Sequence, residues 1–409
     1  MGVIDGNAAL PCVLYVKEAV CYKRDIPLGT ARMGKGSLDI STSTTHYPLV
    51  QYDNQDEVFS RAFDFLRLAI EQRAFPGASV AITSWGKLLA LKAFGRFSYE
   101  KDALPVTTAS IFDIASVSKV VATANVAMIL YDRGLLDLDI PVVGVLPEFA
   151  GKDASRREVT FRMLLAHSSG LPTYDKLFLR AKNKDALLTA AFDVSLRNHP
   201  GTRAEYSDVG FILLGVALER MAQEPLDRFC RREVFGPLGM SHTAFNPPSA
   251  WKSAIPPTAN DQTFRNRVIQ GEVQDENASV MGGVAGHAGV FSTATDLATF
   301  AHIMLNRGIP LVSPETLARF TKRENSPTGT SRALGWDTPS NPSQSGKYFS
   351  QSSFGHLGYT GTSFWIDPER QLSVTLLTNR TWPDCANQSI KEVRPRFHDA
   401  VVEALGAAE

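Results

Sequence analysis

Ile114-Ala115-Ser116-Val117-Ser118-Lys119 heads a run whose apolar positions, Val117, Val120, Val121, Ala124, Met128 and Tyr131, recur at helical spacing before Gly134 closes it. Residues three apart share a helix face, so the amine of Lys119 is expected beside the hydroxyl of Ser116. A serine hydroxyl needs an adjacent base to become a nucleophile. A helix start adds free backbone N–H groups and partial positive charge. A serine and lysine at this spacing also occur by chance. The context argues for chemistry, because an otherwise apolar helix carries two hydroxyls and an amine in its first turn, and a buried lysine is costly.

Outward from this helix, the chain reads as helices enclosed by strands. Val58 to Arg73 is an amphipathic helix with Phe59, Ala62, Phe63, Leu66 and Ile70 on one face. Residues 78–82 and 88–94 flank Trp85-Gly86-Lys87, a hairpin signal. Near the other end, residues 363–366 and 372–377 flank Asp367-Pro368-Glu369-Arg370, a turn with proline at its second position. A final amphipathic helix spans roughly Val393 to Leu405, and helices over Phe211 to Met221 and Thr295 to Leu305 fill the middle. The expected fold class is α+β, with an antiparallel sheet built from both chain ends, flanked by helices, and a mainly helical inserted part. The division expected is an irregular extension over 1–54, a sheet-containing part over 55–115 and 285–409, and a helical part over 116–284, with the active site between them.

Composition narrows the function classes. The 409 residues are 44% hydrophobic and 21% charged, and Lys+Arg and Asp+Glu both number 42. A zero net charge gives no pull toward nucleic acid or an anionic membrane surface. The longest apolar run, Val120 to Leu130, is too short to span a bilayer. Cys12, Cys21, Cys230 and Cys385 have neither metal-like spacing nor the density of a disulfide scaffold, and read as mostly reduced thiols. Met1-Gly2 has Asn7 where a myristoylation signal wants Ser or Thr, and no basic-then-apolar leader follows, so a cytoplasmic protein is expected unless the true start differs.

Three further stretches carry candidate chemistry. Tyr206-Ser207-Asp208 precedes the helix at Phe211, where the tyrosine fits packing and Asp208 fits an N-cap. Gly355-His356-Leu357-Gly358 leads toward the Phe364 strand, and its glycines suggest close approach of a ligand to the backbone or a glycine-rich bulge. Gly282 to Gly289 lacks the lysine and preceding strand of a nucleotide loop, and reads as a substrate-cavity loop with His287 as a wall residue. His167 reads as support for a helix end, and no His, Asp or Glu cluster has metal-ligand spacing.

Ser116-x-x-Lys119, Tyr206-Ser207-Asp208 and His356-Leu357-Gly358, in this order, resemble the serine β-lactamase and penicillin-binding-protein superfamily. The chain is most similar to its class C-related branch of esterases, DD-peptidases and D-aminopeptidases, from about Phe59 to about Leu405. Phe112 to Ser116, Leu165 to Leu171 and Gly358 to Thr362 also fit that branch. Two positions depart from the common pattern. Asp208 stands where Asn is usual, and His356 stands where most β-lactamases have lysine.

The resemblance implies a two-step acyl transfer without metal or organic cofactor. Ser116 is the implied nucleophile, Lys119 and Tyr206 share the proton transfers, and the backbone N–H groups of Ser116 and Tyr359 form the oxyanion hole. Asp208, His356 and Gly358 are the implied substrate-orienting residues. With a titratable imidazole in place of a lysine and a carboxylate nearby, the expectation is a small neutral acyl substrate, a carboxylic ester first. D-Ala-D-Ala peptides or β-lactams come second and a silent ligand-sensing homologue third. The sequence does not set the number of copies in the assembly.

Overall fold

A computed structural model describes residues 54–406. Cys12, Cys21 and the irregular extension lie outside them. Among the described residues Cys230 is a buried free thiol and Cys385 an exposed one. No helix among them is long and apolar enough to cross a membrane.

The main sheet has five strands, all antiparallel. These are β1 (Gly77–Ser84), β2 (Lys87–Gly95), β3 (Phe354–Leu357), β4 (Ser363–Asp367) and β5 (Leu372–Thr378), in spatial order β2-β1-β5-β4-β3. The first hairpin and the last one meet where β1 pairs with β5, Val80 opposite Leu376. The two chain ends thus share one sheet, as the strand signals at both ends implied.

Strand alternation sorts side chains onto two cores. On one face Val80, Ile82, Trp365, Val374 and Leu376 pack against the terminal helices α1 (Ser60–Glu71) and α5 (Ile390–Ala404), through Phe63, Leu66, Phe397 and Val401. On the other face Ala81, Phe364, Ile366 and Leu377 join the larger core. That core also takes in α2 (Ala124–Asp132), α3 (Asp208–Ala222) and α4 (Ala294–Leu305). Both sheet faces are covered, so both residue parities of β1 and β5 are buried.

The Ser116 helix departs from the even helical run that its spacing suggested. It opens with a 3₁₀ turn over Ala115–Val117, widens to a π turn over Lys119–Thr123, and only then becomes α2. π turns often accompany functional sites. Ala115 adopts φ +47°, a left-handed conformation rare for a residue with a Cβ. The buried Asp113 carboxylate holds this bend by accepting from Ala115 N at 2.8 Å and Gln274 N at 2.7 Å. Burial pushes that carboxyl up to about 6.

Candidate active site

Ser116 Oγ is the centre of a short-range network. Lys119 Nζ lies 3.1 Å from it and Tyr206 Oη 2.7 Å. Lys119 Nζ also contacts Asp208 Oδ1 at 2.7 Å and the His287 carbonyl at 2.9 Å. Tyr206 Oη reaches the same Asp208 oxygen at 3.0 Å. The Lys119 side chain is fully buried, and its head lies 4.9 Å from the Tyr206 ring centroid and 5.5 Å from that of Phe211. The structure therefore brings Ser116, Lys119, Tyr206 and Asp208 together.

The burial of this network moves its protonation states. Desolvation lowers the Lys119 amine below its ordinary range, against the opposing pull of Asp208. Desolvation, reinforced by Asp208, holds the Tyr206 phenol well above its ordinary range. Both shifts favour the uncharged pair, amine with phenol, over ammonium with phenolate. In that state Lys119 accepts from the Ser116 hydroxyl and donates its two N–H groups to Asp208 and the His287 carbonyl.

Local folding explains how Tyr206 and Asp208 arrive there. Ser207, not Asp208, is the N-cap of α3, with its Oγ accepting from Gly210 N at 2.9 Å. Asp208 is thereby released from capping and turned toward Lys119. His167 supports this helix entrance as its sequence context suggested. Its Nδ1 accepts from Ser207 N at 3.0 Å, and its ring packs 4.7 Å from Tyr206 and 4.9 Å from Phe211.

Asp208 gives one carboxylate oxygen, Oδ1, to both Lys119 and Tyr206. One sequence expectation needs correction. The His287 side chain is no cavity wall. It is buried, its Nε2 lies 2.8 Å from Asp275 Oδ1, and its backbone carbonyl holds Lys119 from behind. The neighbouring Gly286 packs so closely on α3 that a Cβ would stand 2.1 Å from the Phe211 carbonyl. The loop is thus a buttress for the lysine. The glycines around His356 serve close approach within the protein. A Cβ on Gly358 would lie 2.6 Å from the Ile114 carbonyl, and one on Gly355 would lie 2.3 Å from the Phe364 carbonyl.

Gly358 therefore lets the turn after β3 rest on the segment that carries Ser116. Thr360 Oγ1 ties the two together by donating to the Asp113 carbonyl at 2.8 Å. From the far side, Arg394 donates to the Gly358 carbonyl at 2.8 Å and Arg380 to the Tyr359 carbonyl at 2.7 Å. In a trans peptide N–H and C=O point oppositely, so the Tyr359 N–H is directed away from Arg394. Among the described residues neither Tyr359 N nor Ser116 N has a protein acceptor.

His356 is buried on β3, with its ring 6.1 Å from that of Tyr206. Nδ1 lies 2.7 Å from the Leu357 carbonyl, which assigns the proton to Nδ1 and leaves Nε2 as a buried acceptor without a partner among the described residues. Burial, with Lys119 and Arg332 adding to it, holds this imidazole well below its ordinary range, so it is neutral at pH 7. Sequence reasoning missed Arg332, whose guanidinium lies 5.6 Å from the Tyr206 ring centroid. No spacing or periodicity marks it.

A serine and lysine three residues apart at a bent helix start, a tyrosine on the serine oxygen, and a mixed sheet-and-helix frame define a serine hydrolase of the β-lactamase and penicillin-binding-protein superfamily. The Beta-lactamase family profile matches residues 62–391, and the chain belongs to that family. Among its relatives is the N-acetylmuramyl-L-alanine amidase of Bacillus subtilis strain 168, 33% identical over 344 residues, covering 75% of this chain and 77% of the relative. A putative D-alanyl-D-alanine carboxypeptidase of Salmonella agona is 28% identical over 401 residues, covering 87% and 91%. Among solved structures, EstCE1, a hydrolase with promiscuous acyltransferase activity, superposes with a TM-score of 0.70 at 21% identity, covering 85% of this chain and 99% of that one. A penicillin-binding protein homologue from Caulobacter crescentus gives 0.68 at 18% identity, covering 85% and 98%. These two likenesses establish the shared fold.

Proposed function

We propose that the chain is an acyl-enzyme serine hydrolase whose natural bond is an amide, with carboxylic esters cleaved by the same residues. The observation that carries this reading is Tyr206, a phenol kept protonated and placed 2.7 Å from the nucleophile. An amine is a poor leaving group until protonated, whereas an aryloxide departs without such help, so a positioned acid matters most for amides. The names of the two sequence relatives, an amidase and a putative carboxypeptidase, point the same way.

In the proposed cycle Ser116 Oγ attacks the carbonyl carbon while its proton passes to Lys119 Nζ. The oxyanion is held by the N–H groups of Ser116 and Tyr359. The C–N bond breaks as Tyr206 donates its proton to the leaving nitrogen. The Lys119 ammonium returns a proton to the Tyr206 oxygen through Asp208 Oδ1, which both groups contact. Water then takes the amine's place and reverses the relay, releasing the acid and restoring Ser116.

The ester preference expected from sequence rested on His356 standing in place of a lysine, and it remains the second reading. Parallel assays on N-acetylmuramyl-L-alanine, a D-Ala-D-Ala peptide, a short-chain aryl ester and a cephalosporin decide between the readings. The amide reading expects turnover of one of the first two, abolished in Tyr206→Phe more completely than ester turnover. Turnover confined to the aryl ester would establish the ester reading instead, and a preference for the cephalosporin would make β-lactams the substrate class.

A further inference from the structure

Asp113 is a buried charge that the proposed cycle leaves without a task. Its side chain is enclosed, and its two carboxylate oxygens are held by backbone N–H groups. Arg265, the cation whose charge it feels, is spent elsewhere. That guanidinium donates to Asp261 at 2.9 Å and to the carbonyls of Val273 and Gln274 at 2.7 and 2.6 Å. A carboxylate taken out of water without an ion-pair partner is costly, so stability gives no account of it.

The residue joins three segments. Oδ1 accepts from Ala115 N at 2.8 Å and keeps Ala115 at φ +47°, immediately before Ser116. Oδ2 accepts from Gln274 N at 2.7 Å. Gln274 precedes Asp275, whose Oδ1 lies 2.8 Å from His287 Nε2, and the His287 carbonyl accepts from Lys119 Nζ at 2.9 Å. The Asp113 backbone carbonyl accepts from Thr360 Oγ1 at 2.8 Å, and Thr360 follows Tyr359. Ser116 N and Tyr359 N, the two donors without a protein acceptor among the described residues, are more than two hundred positions apart in sequence. Asp113 is bonded to the neighbour of each.

Resting on the acyl-enzyme reading, we infer that Asp113 is the positioning residue of the oxyanion hole, setting the Ser116 N–H through its carboxylate and the Tyr359 N–H through its backbone carbonyl. The peptide plane that carries the Ser116 N–H leaves from Ala115. A side chain with a Cβ disfavours the left-handed conformation found there. Without its acceptor, Ala115 relaxes toward the ordinary regions and the Ser116 N–H turns with it. An oriented donor stabilises an oxyanion only while it points at the place where that charge develops. The Gln274 bond braces the same carboxylate against the segment behind Lys119, so the donor and the base keep one geometry. Asp113 acts through these neighbours and touches no reacting atom. Its effect therefore falls on the transition state and leaves binding of the ground state alone.

The test uses the full chain at pH 8, where the Asp113 carboxyl, raised to about 6, is ionised. It compares wild type, Asp113→Ala, Ala115→Gly, their double variant and Thr360→Val. Phenyl acetate reads kcat and KM. Phenylboronic acid, whose boron takes the serine oxygen and places another oxygen in the hole, reads affinity for a tetrahedral adduct. Asp113→Ala removes both carboxylate acceptors. Its kcat should fall by about 10- to 100-fold with KM little changed, and its boronate inhibition constant should rise by a similar factor. Glycine enters the left-handed region freely, so the loss caused by Asp113→Ala should be about 10-fold smaller when Ala115→Gly is present. Thr360→Val removes one hydroxyl and should show the same split at about 3- to 10-fold. Unchanged kcat and boronate affinity in a folded Asp113→Ala overturn the inference, as does a fall in kcat with boronate affinity unchanged. An equal loss with and without Ala115→Gly overturns the role of the bend. Should Asp113→Ala not fold, Thr360→Val decides, and unchanged kcat and boronate affinity there overturn the inference. A wild type inert toward both reagents defeats the acyl-enzyme reading and the inference with it, whereas a reactive wild type with unchanged variants defeats the inference alone.

Discussion

Lys119 and Arg332 both bring a basic head to the Tyr206 ring, at 4.9 and 5.6 Å, and they are held in opposite ways. Lys119 is fully buried and its amine has a partner inside the protein on every side, in Ser116, Asp208 and the His287 carbonyl. Arg332 is partly exposed and has one loose ion pair for five donors. A group whose bonds are all made inside the protein is fixed for proton transfer and shifts in pKa because water is gone. A group whose donors remain open keeps its hydrogen-bonding capacity for solvent. The contrast separates a closed network from an open group within one small site.

The largest effects are expected on the saturated side. Lys119→Ala and Tyr206→Phe should each lower kcat by about 10²-fold or more, the scale of positioned acid–base catalysis. Because both serve one relay, the double variant should lose much less than the product of the single losses. Full multiplicativity in steady-state kinetics would show two independent devices and break the comparison.

Gly358→Ala comes next. The added Cβ must displace the Ile114 carbonyl at 2.6 Å or Thr362 Cβ at 2.8 Å, and either shift moves the turn that carries Tyr359 N. Overpacking of this kind costs about 1–3 kcal/mol. Thermal melting should fall, and kcat should fall with KM for neutral esters little changed. Unaltered melting and kcat would show that the turn does not depend on this approach.

Asp208→Asn sharpens the account of Lys119. The amide keeps a hydrogen-bond acceptor for Nζ but removes the charge that raises the amine's pKa. Lys119 then titrates at lower pH still. In wild type kcat/KM should rise with pH along a limb set by a lysine below its ordinary range, and in the variant that limb should move toward acid. A limb that stays in place would mean that another group is the base.

The effect furthest from the chemistry is on stability in acid. His167, His356 and His398 are buried and held below the ordinary histidine range, His398 at about 3. Their folded pKa values lie below the unfolded value, so the unfolded chain binds protons first as pH falls through about 6.5. Each histidine that stays neutral costs about 1.4 kcal/mol of stability per pH unit below that point. Asp113, raised to about 6, works in the other direction, binding its proton earlier in the folded state. Burial also raises Glu276, Asp296, Glu324, Asp337 and Asp399, but a carboxylate ordinarily titrates below pH 5, so the histidines set the sign and the melting temperature falls between pH 7 and pH 5. A melting temperature that rises over that range would show that these histidines are hydrated.

What could be read in the sequence was local or periodic. The Ser116–Lys119 spacing, the two hairpins with their turns, and the helix entrance at Tyr206 all declare themselves within a few residues. The rest depends on contacts that leave no residue signature. Lys119 is held by a carbonyl from position 287, and carbonyls are the same at every residue. His287 looked like a wall residue because Asp275, the carboxylate that turns it inward, belongs to a different element. Gly358 was conspicuous, but its reason is the Ile114 carbonyl, more than two hundred positions away in sequence. Arg332 was silent, since only the docking of its hairpin on β3 brings it to Tyr206.

The most direct test of the account is to find which atom becomes acylated. A fluorophosphonate probe reports an activated serine by forming a stable adduct with it. The account expects a single adduct, placed on Ser116 by peptide mass spectrometry, and no labelling of Ser116→Ala. An adduct elsewhere, or labelling that persists in Ser116→Ala, would contradict it.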